Sequence, residues 1–252
     1  MYPEYCSFLE DVGNGRLESV SVPHNCVVQD YNEMIDAVYG ADFNCKHQIL
    51  ALTLETCAVV NKLCIDRLPG SAVECPAADT YVECADPDSF PSEYIESLPM
   101  NGAPPFMLQF KIGAKFMCIK NLDMHRGTIN GTMMQLLAVG RRFVQLKVLT
   151  GKSAGSVELL LKCVFTITPE ASGLPFTVLR RQYPLIPAYC LSVHKAQGQS
   201  LLKVGLIFES DPFTHGQLYV ALSRVACWLC IVVMMHAGES AISNLVHKQL
   251  LQ

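Results

Sequence analysis

No uninterrupted apolar run of membrane-spanning length occurs in the sequence, and the longest candidate, near Val225 to Met235, reads as a strand. No membrane association is therefore expected. The N-terminus, with Glu4, Glu10 and Asp11, lacks the basic-then-apolar layout of a signal peptide. Internal repeats and low-complexity tracts are missing too. The 12 cysteines lack the paired spacing of a disulfide scaffold and sit scattered among apolar neighbours, where free cysteine behaves as a small hydrophobe. Only Cys227 and Cys230 form a close pair. A zinc site needs four ligands, and neither a second cysteine pair nor paired histidines stand at matching spacing. No metal is expected, and the chain reads as a reduced intracellular protein. Charged residues make up only 17%, and half of the 252 residues are hydrophobic, enough for a real core in one large domain or two small ones.

A net charge of −4 hides an asymmetry. Residues 1–100 hold 4 Lys and Arg against 17 Asp and Glu, whereas residues 101–252 hold 15 against 6. A basic second half can neutralise phosphates, although solvated charged faces explain such a pattern equally well.

Periodicity places a helix over Tyr2–Glu10 and another over Tyr31–Tyr39, with apolar residues at 31, 34, 35, 38 and 39. Gln48–Thr53 reads as a buried strand, with Thr53 as N-cap of a helix running to about Leu68 before Pro69-Gly70. From Cys75 to Pro105 the prolines at 76, 87, 91, 99, 104 and 105 fall among Asp, Glu and Ser and suggest a connecting segment. Strand-like runs follow at Leu108–Phe110, Lys115–Lys120, Met133–Val139, Phe143–Leu149 and Leu159–Thr168, with Asn130-Gly131 as a hairpin signal. Short strands at such intervals suggest a small barrel. Beyond Pro175, the strands Ala188–Val193, Val204–Phe208 and Leu229–Met235 alternate with a helix over Gly216–Val225, which implies a parallel α/β sheet. The expected architecture is one α/β domain made from both ends of the chain, interrupted by a small β barrel.

Two segments carry chemistry. In His215-Gly-Gln-Leu-Tyr-Val-Ala-Leu-Ser-Arg224, Gln217 and Arg224 stand two helical turns apart and would project from one face. An arginine delivered from such a face can stabilise charge developing on a γ-phosphate. It can equally cap its own helix or pair with a surface acid. In Leu191-Ser-Val-His-Lys-Ala-Gln-Gly-Gln-Ser200, a strand opens into hydroxyls, a cation and amides just where open α/β sheets bind ligands. Ser192, His194, Lys195 and Ser200 suit phosphate-backbone contacts. A polar strand-to-helix loop with a solvated lysine is the alternative.

Together these segments resemble helicase motifs V and VI, Ser192-x-His-Lys-x-Gln-Gly-Gln-Ser200 followed by Gly216-Gln-Leu-Tyr-Val-Ala-Leu-Ser-Arg-Val225. The resemblance is to Pif-type DNA helicases of superfamily one, which include the helicase domains of Helitron-like transposons. Arg181–Tyr189, Gly102–Gly113, Lys120–Asp123, Asn130–Thr132 and Phe8–Arg16 extend it over nearly the whole chain. It implies a second RecA-like domain in residues 1–91 and 175–252, and an SH3-like 2B domain with its connecting segment in 92–174. It implies 5′→3′ movement on single-stranded DNA driven by ATP and Mg²⁺, in an intracellular setting, the nucleus first, with a mitochondrial or viral setting as the alternatives. Arg224 would be the catalytic arginine finger. Gly198, Gln217 and Arg224 would face the nucleotide; Thr53, Ser192, His194, Lys195 and Ser200 would contact DNA. The sequence departs from the pattern at Leu54 (asparagine is usual), Phe106 (often histidine) and Met133 (often arginine).

A helicase motor also needs a glycine-rich loop ending Gly-Lys-Ser/Thr and an acidic Mg²⁺ ligand. Gly151-Lys152-Ser153 is the nearest string, but the glycine required five residues earlier is Leu146, inside a strand-like run. The expectation is the C-terminal half of a motor, inactive alone and partnered by an N-terminal RecA-like domain that holds most of the ATP and Mg²⁺ site. The alternatives are a transposon-derived, catalytically inactive DNA- or partner-binding remnant, or a zinc-dependent module on Cys227 and Cys230.

Overall fold

The computed structural model describes residues 3–40, 46–82, 90–98, 100, 102–236, 239–247 and 249. Tyr2, Pro87 and Pro99 lie outside the described residues. The first segment runs α1 (Pro3–Gly13), β1 (Ser19–Ser21), α2 (Tyr31–Tyr39), β2 (His47–Ala51) and α3 (Leu54–Arg67). Next come β3 (Val73–Pro76), β4 (Ala78–Val82), α4 (Ser92–Ser97), β5 (Met107–Phe110), β6 (Lys115–Cys118) and β7 (Met133–Val139). These are followed by β8 (Phe143–Val148), β9 (Val157–Leu161), β10 (Cys163–Ile167), α5 (Pro169–Ser172), β11 (Thr177–Gln182) and β12 (Leu185–Pro187). The chain ends with β13 (Cys190–Ser192), β14 (Lys203–Phe208), α6 (Gln217–Leu222), β15 (Ile231–Met235) and β16 (Ala241–Ser243). Two compact units result, one from residues 1–64 with 189–252, the other from 65–188.

The first unit is built on a four-stranded sheet in the order β13-β2-β14-β15, parallel throughout. Nearly every residue of β2, β14 and β15 is buried, as befits strands covered on both faces. Asp30 starts α2 by accepting from the backbone N–H groups of Asn32 at 2.7 Å and Glu33 at 2.9 Å. That helix lies so close to the sheet that a Cβ on Gly205 would stand 2.8 Å from Val38 Cγ2. Glycine in β14 is what lets α2 approach. The C-terminal β16 pairs antiparallel with β1, which returns the end of the chain to its beginning.

The second unit is antiparallel. Its strands form a five-stranded sheet β12-β6-β7-β8-β9, a three-stranded sheet β10-β11-β4 and the pair β3-β5. One apolar cluster gathers Phe110, Phe116, Met134, Leu136, Leu146 and Tyr183; a second gathers Ile95, Ile167, Phe176 and Val178.

Two readings from sequence need correction. The proline-rich stretch from Cys75 onward is more than a connector, since β3, β4 and α4 lie in it. Pro76 is the last residue of β3, and Pro91 immediately precedes α4, positions where a missing N–H is tolerated. The run expected as one strand over 159–168 is two, broken at Lys162, because β9 pairs with β8 while β10 pairs with β11. The strand β11 has no counterpart in the expectation. The units divide at 64/65 and 188/189, whereas the family resemblance implied joints at 91/92 and 174/175. The difference lies in β3, β4 and β11, whose antiparallel partners are all in the second unit.

Candidate functional site

The carboxyl ends of the parallel strands gather the site. Ser192 closes β13 in register with Ala51 of β2, and Ala51 is in register with Ile207 of β14. Two residues past β2, the Thr53 hydroxyl accepts from the Thr56 N–H at 3.2 Å and lies 2.8 Å from the Thr56 hydroxyl, so it caps α3. Thr56 in turn donates its hydroxyl to Glu209, just beyond β14, and Tyr31 donates to the same carboxylate. Burial first, and then that hydrogen bond, push the Tyr31 phenol up to about 12.

From Ser192 the chain enters a single 3₁₀ turn, Val193–Ala196. Val193 and Ala196 are buried, His194 is exposed and Lys195 is half-buried. Burial holds the Lys195 ammonium below its ordinary range, with the nearby Cys57 thiol pulling the other way. An anion beside Lys195 would favour its charged form. Thr53, Ser192, His194 and Lys195 therefore share one end of the sheet. Ser200 lies on the returning limb of the loop, next to Gln199, whose N–H donates to Ala196 O at 3.0 Å and whose Nε2 donates to Lys195 O at 3.2 Å.

Arg224 holds this loop closed. Its Nη1 donates to the carbonyls of Ala196 at 3.3 Å and Gln199 at 3.2 Å, its Nε to Val220 O at 2.8 Å, and its Nη2 to the Ser223 hydroxyl at 2.8 Å. The backbone adds Leu201 N–H to Arg224 O at 2.9 Å. Gly198, at φ +81°, makes the bend between the two limbs.

The helix carrying this arginine is shorter than its sequence suggests. It ends at Leu222 because the Ser223 hydroxyl and the Arg224 Nε both bind Val220 O in the last turn. Gln217 and Arg224 consequently do not share one exposed helical face. Gln217 is buried, its Oε1 accepts from Phe213 N–H at 3.1 Å, and its Nε2 is without a partner among the described residues. A buried amide lacking an acceptor fits a ligand oxygen or a water.

Two residues escaped the sequence reading. Asn61 on α3 donates to Cys190 O at 2.8 Å and accepts from the N–H groups of Tyr189 and Cys190, each at 2.9 Å. It satisfies the outer side of the edge strand β13 and so positions Ser192. Glu209 organises Tyr31 and Thr56. Neither stands in a recognisable motif, since both act through strand pairing across the chain.

Gly151-Lys152-Ser153 lies in the turn joining the antiparallel strands β8 and β9. A phosphate-binding loop needs a strand leading into a helix N-terminus, so this string does not form one. Among the described residues no group of three or more His, Cys, Asp or Glu could hold a metal ion.

The departures from the family pattern also find places. Leu54 is the exposed first residue of α3, and Met133 is buried in β7. The Phe106 ring lies 5.5 Å from the Arg180 guanidinium, where a protonated histidine would repel it.

Comparison with known proteins agrees with this geometry. Residues 93–138 match the family described as DNA helicase Pif1, 2B domain. The human ATP-dependent DNA helicase PIF1 is 31% identical over 187 residues, covering 71% of this chain and 25% of that protein. The Campylobacter jejuni ATP-dependent DNA helicase Pif1 is 32% identical over 124 residues, covering 46% of this chain and 27% of that protein. The chain thus spans about a quarter of these relatives' length. A crystal structure of Pif1 helicase from Candida albicans superposes with a TM-score of 0.66 at 22% identity, covering 99% of this chain and 57% of that one. Pif1 helicase from Bacteroides, solved with ADP-AlF3 and single-stranded DNA, gives 0.64 at 16% identity, covering 100% and 53%. By sequence and fold, this chain belongs to the Pif1-type DNA helicases of superfamily one and corresponds to their C-terminal half.

Proposed function

We propose that this chain is the C-terminal motor half of an ATP-dependent 5′→3′ DNA helicase, gripping single-stranded DNA and supplying an arginine finger for ATP hydrolysis. Residues 1–64 and 189–252 are its second RecA-like domain, and 65–188 contain the SH3-like 2B insert. The observation that carries the reading is the bond between Arg224 and the Ala196 and Gln199 carbonyls. It joins the segment proposed for the nucleotide to the segment proposed for DNA, so a change at one is transmitted to the other. Thr53, Ser192, His194 and Lys195 form the DNA-facing end of the sheet; Ser200 would have to meet DNA from the loop's other limb.

Gln217 and Arg224 are the residues that would face ATP, with Gly198 shaping the loop beside them. The residues of this chain do not fit the rest of the cofactor. The one Gly-Lys-Ser string is a hairpin turn, so the β- and γ-phosphates and Mg²⁺ fall to an N-terminal RecA-like partner domain. ATP supplies the bond whose hydrolysis drives movement. Alone, this chain would hydrolyse no ATP, and Lys152→Ala would change nothing.

Titrating the purified chain with a fluorescent single-stranded oligonucleotide over a salt series tests the reading. Binding should weaken steeply with salt, and Lys195→Ala should reduce the slope of log K against log salt by roughly one unit. Affinity and slope both unchanged in that variant would remove Lys195 from the DNA interface.

A further inference from the structure

The second chemical feature of the first unit lies three residues beyond Arg224. Cys227-Trp228-Leu229-Cys230 is a single tight turn, in which the Cys230 N–H donates to Cys227 O at 3.2 Å and Ile231 N–H bonds back to Trp228. The two sulfurs face each other at 3.5 Å. A four-residue turn keeps its end Cα atoms within about 7 Å, inside the span a disulfide bridges, and closing one requires the sulfurs to approach by only about 1.5 Å. Both cysteines are half-buried, and Leu229 at the tip is 79% exposed, so a small reagent can reach the turn. A second close pair among the described residues, Cys57 and Cys190 at 3.8 Å, is buried between α3 and the sheet. Metal binding is not supported, because no third ligand completes a site among the described residues.

The turn is wired into the helix that precedes it. Trp228, the single tryptophan, packs its ring 5.2 Å from Phe8 and 6.0 Å from Tyr5. Tyr5 donates its hydroxyl to Leu222 O at 2.8 Å, at the last residue of α6. Burial, then the charges of Cys227 and Cys230, hold the Tyr5 phenol well above its ordinary range. A change in the turn therefore reaches Leu222 through Trp228 and Tyr5, and Arg224 along the backbone.

We propose that Cys227 and Cys230 are a reversible thiol–disulfide site that closes by exchange with a low-molecular-weight disulfide. One thiolate attacks a sulfur of the reagent, forming a mixed disulfide and releasing one reagent thiolate. The second cysteine thiolate then attacks the protein sulfur of that mixed disulfide and releases the other. The protein gives up two protons and two electrons, and the reagent disulfide is reduced to two thiols. Burial, followed by the contact with Cys227, pushes the Cys230 thiol up, with Lys203 partly offsetting it. Closure re-seats Trp228 and, through the contacts above, shifts the segment carrying Arg224. The existence of the site is independent of the helicase reading; only its consequence for Arg224 rests on that reading.

The test uses the purified chain with oxidised glutathione, without DNA or nucleotide, so its failure is separable from a failure of the proposed function. The intact unalkylated mass should fall by two hydrogens; after quenching and denaturing alkylation, two fewer thiols should be alkylated, and a peptide map should link Cys227 to Cys230. Trp228 emission should change on oxidation and return on reduction. The change should be abolished in the Cys227→Ser and Cys230→Ser variants and kept in Cys57→Ala. Thermal melts of the serine variants check that they fold; should either fail, the linkage map and the Cys57→Ala control decide. A stable glutathione adduct without linkage, a link between Cys57 and Cys190 instead, or no reaction at all would each overturn the proposal.

Discussion

The guanidinium of Arg224 reaches the carbonyl of Gln199 at 3.2 Å, across 25 residues of chain. The same Nη1 also binds Ala196 O at 3.3 Å, so the arginine clamps both limbs of the loop that leaves the edge strand β13. A loop with one wide-φ glycine at its bend and polar residues on its surface would otherwise hold its shape poorly. Arg224 thus has a structural role in addition to any it plays toward a nucleotide, and both belong in the interpretation of its variants.

Gly205→Ala tests how closely α2 is seated on the parallel sheet. The added methyl would run into Met34 Sδ and would meet Val38 Cγ2 at 2.8 Å and Ile49 Cγ1 at 3.2 Å. Met34 can swing its terminus, but it and Val38 are fully buried, so the helix must shift. Overpacking of this kind costs about 1–3 kcal/mol. Urea unfolding followed by Trp228 fluorescence reports directly on this unit, and the midpoint should fall. A midpoint equal to that of the unsubstituted chain would contradict the close packing of α2.

In the second unit, Arg180 and Asp79 form an ion pair with side chains 0% and 4% exposed. They face each other across β11 and β4, with Nη2 to Oδ2 at 2.8 Å and Nε to Oδ1 at 3.0 Å, and Nη1 also donates to Pro104 O. Asp79→Ala strands a buried guanidinium and should destabilise by about 3–5 kcal/mol. Replacing both, as Arg180→Met with Asp79→Leu, should cost far less, since no charge is left without its partner. Denaturant unfolding of the two variants decides. A loss below about 1 kcal/mol for Asp79→Ala would mean that water screens the pair as it does surface ones.

These cases show which features are legible in one dimension. The strands β2 and β14, the capping Thr53 and the turn at Gly151 are signalled by residues within a few positions of one another, and reading along the chain finds them. The strands β3, β4 and β11 are held by partners far away in sequence, and the prolines around the first two mask them. Arg180 stands in a strand with a polar pattern, and only its register with Asp79 explains its complete burial. Asn61 is likewise silent until β13 is known to be an edge strand. For the candidate site, the strand end at which Ser192, His194 and Lys195 stand was legible, because a short apolar run gives way there to polar residues. The early end of α6 was not, because it depends on Ser223 and Arg224 competing for one carbonyl.

Arg224 gives the most discriminating test, in a protein that unites this chain with a matching first RecA-like domain. A finger acts on charge that develops in the transition state, so Arg224→Ala should damage kcat far more than nucleotide affinity. By analogy with GTPase fingers, the loss should be on the order of a thousandfold, about 4 kcal/mol. Arg224→Lys should not restore it, because lysine lacks the planar fork that contacts two oxygens at once. Melting temperature alone does not discriminate, since the bonds to Ala196, Gln199, Val220 and Ser223 are lost in the alanine variant whatever the role. The deciding quantity is kcat per folded molecule, measured at saturating single-stranded DNA on protein whose folded fraction is known from the melt. If that value is intact while the melting temperature falls, Arg224 is a loop clamp and the finger assignment fails. If it collapses in both variants with ATP affinity preserved, the arginine acts on the nucleotide.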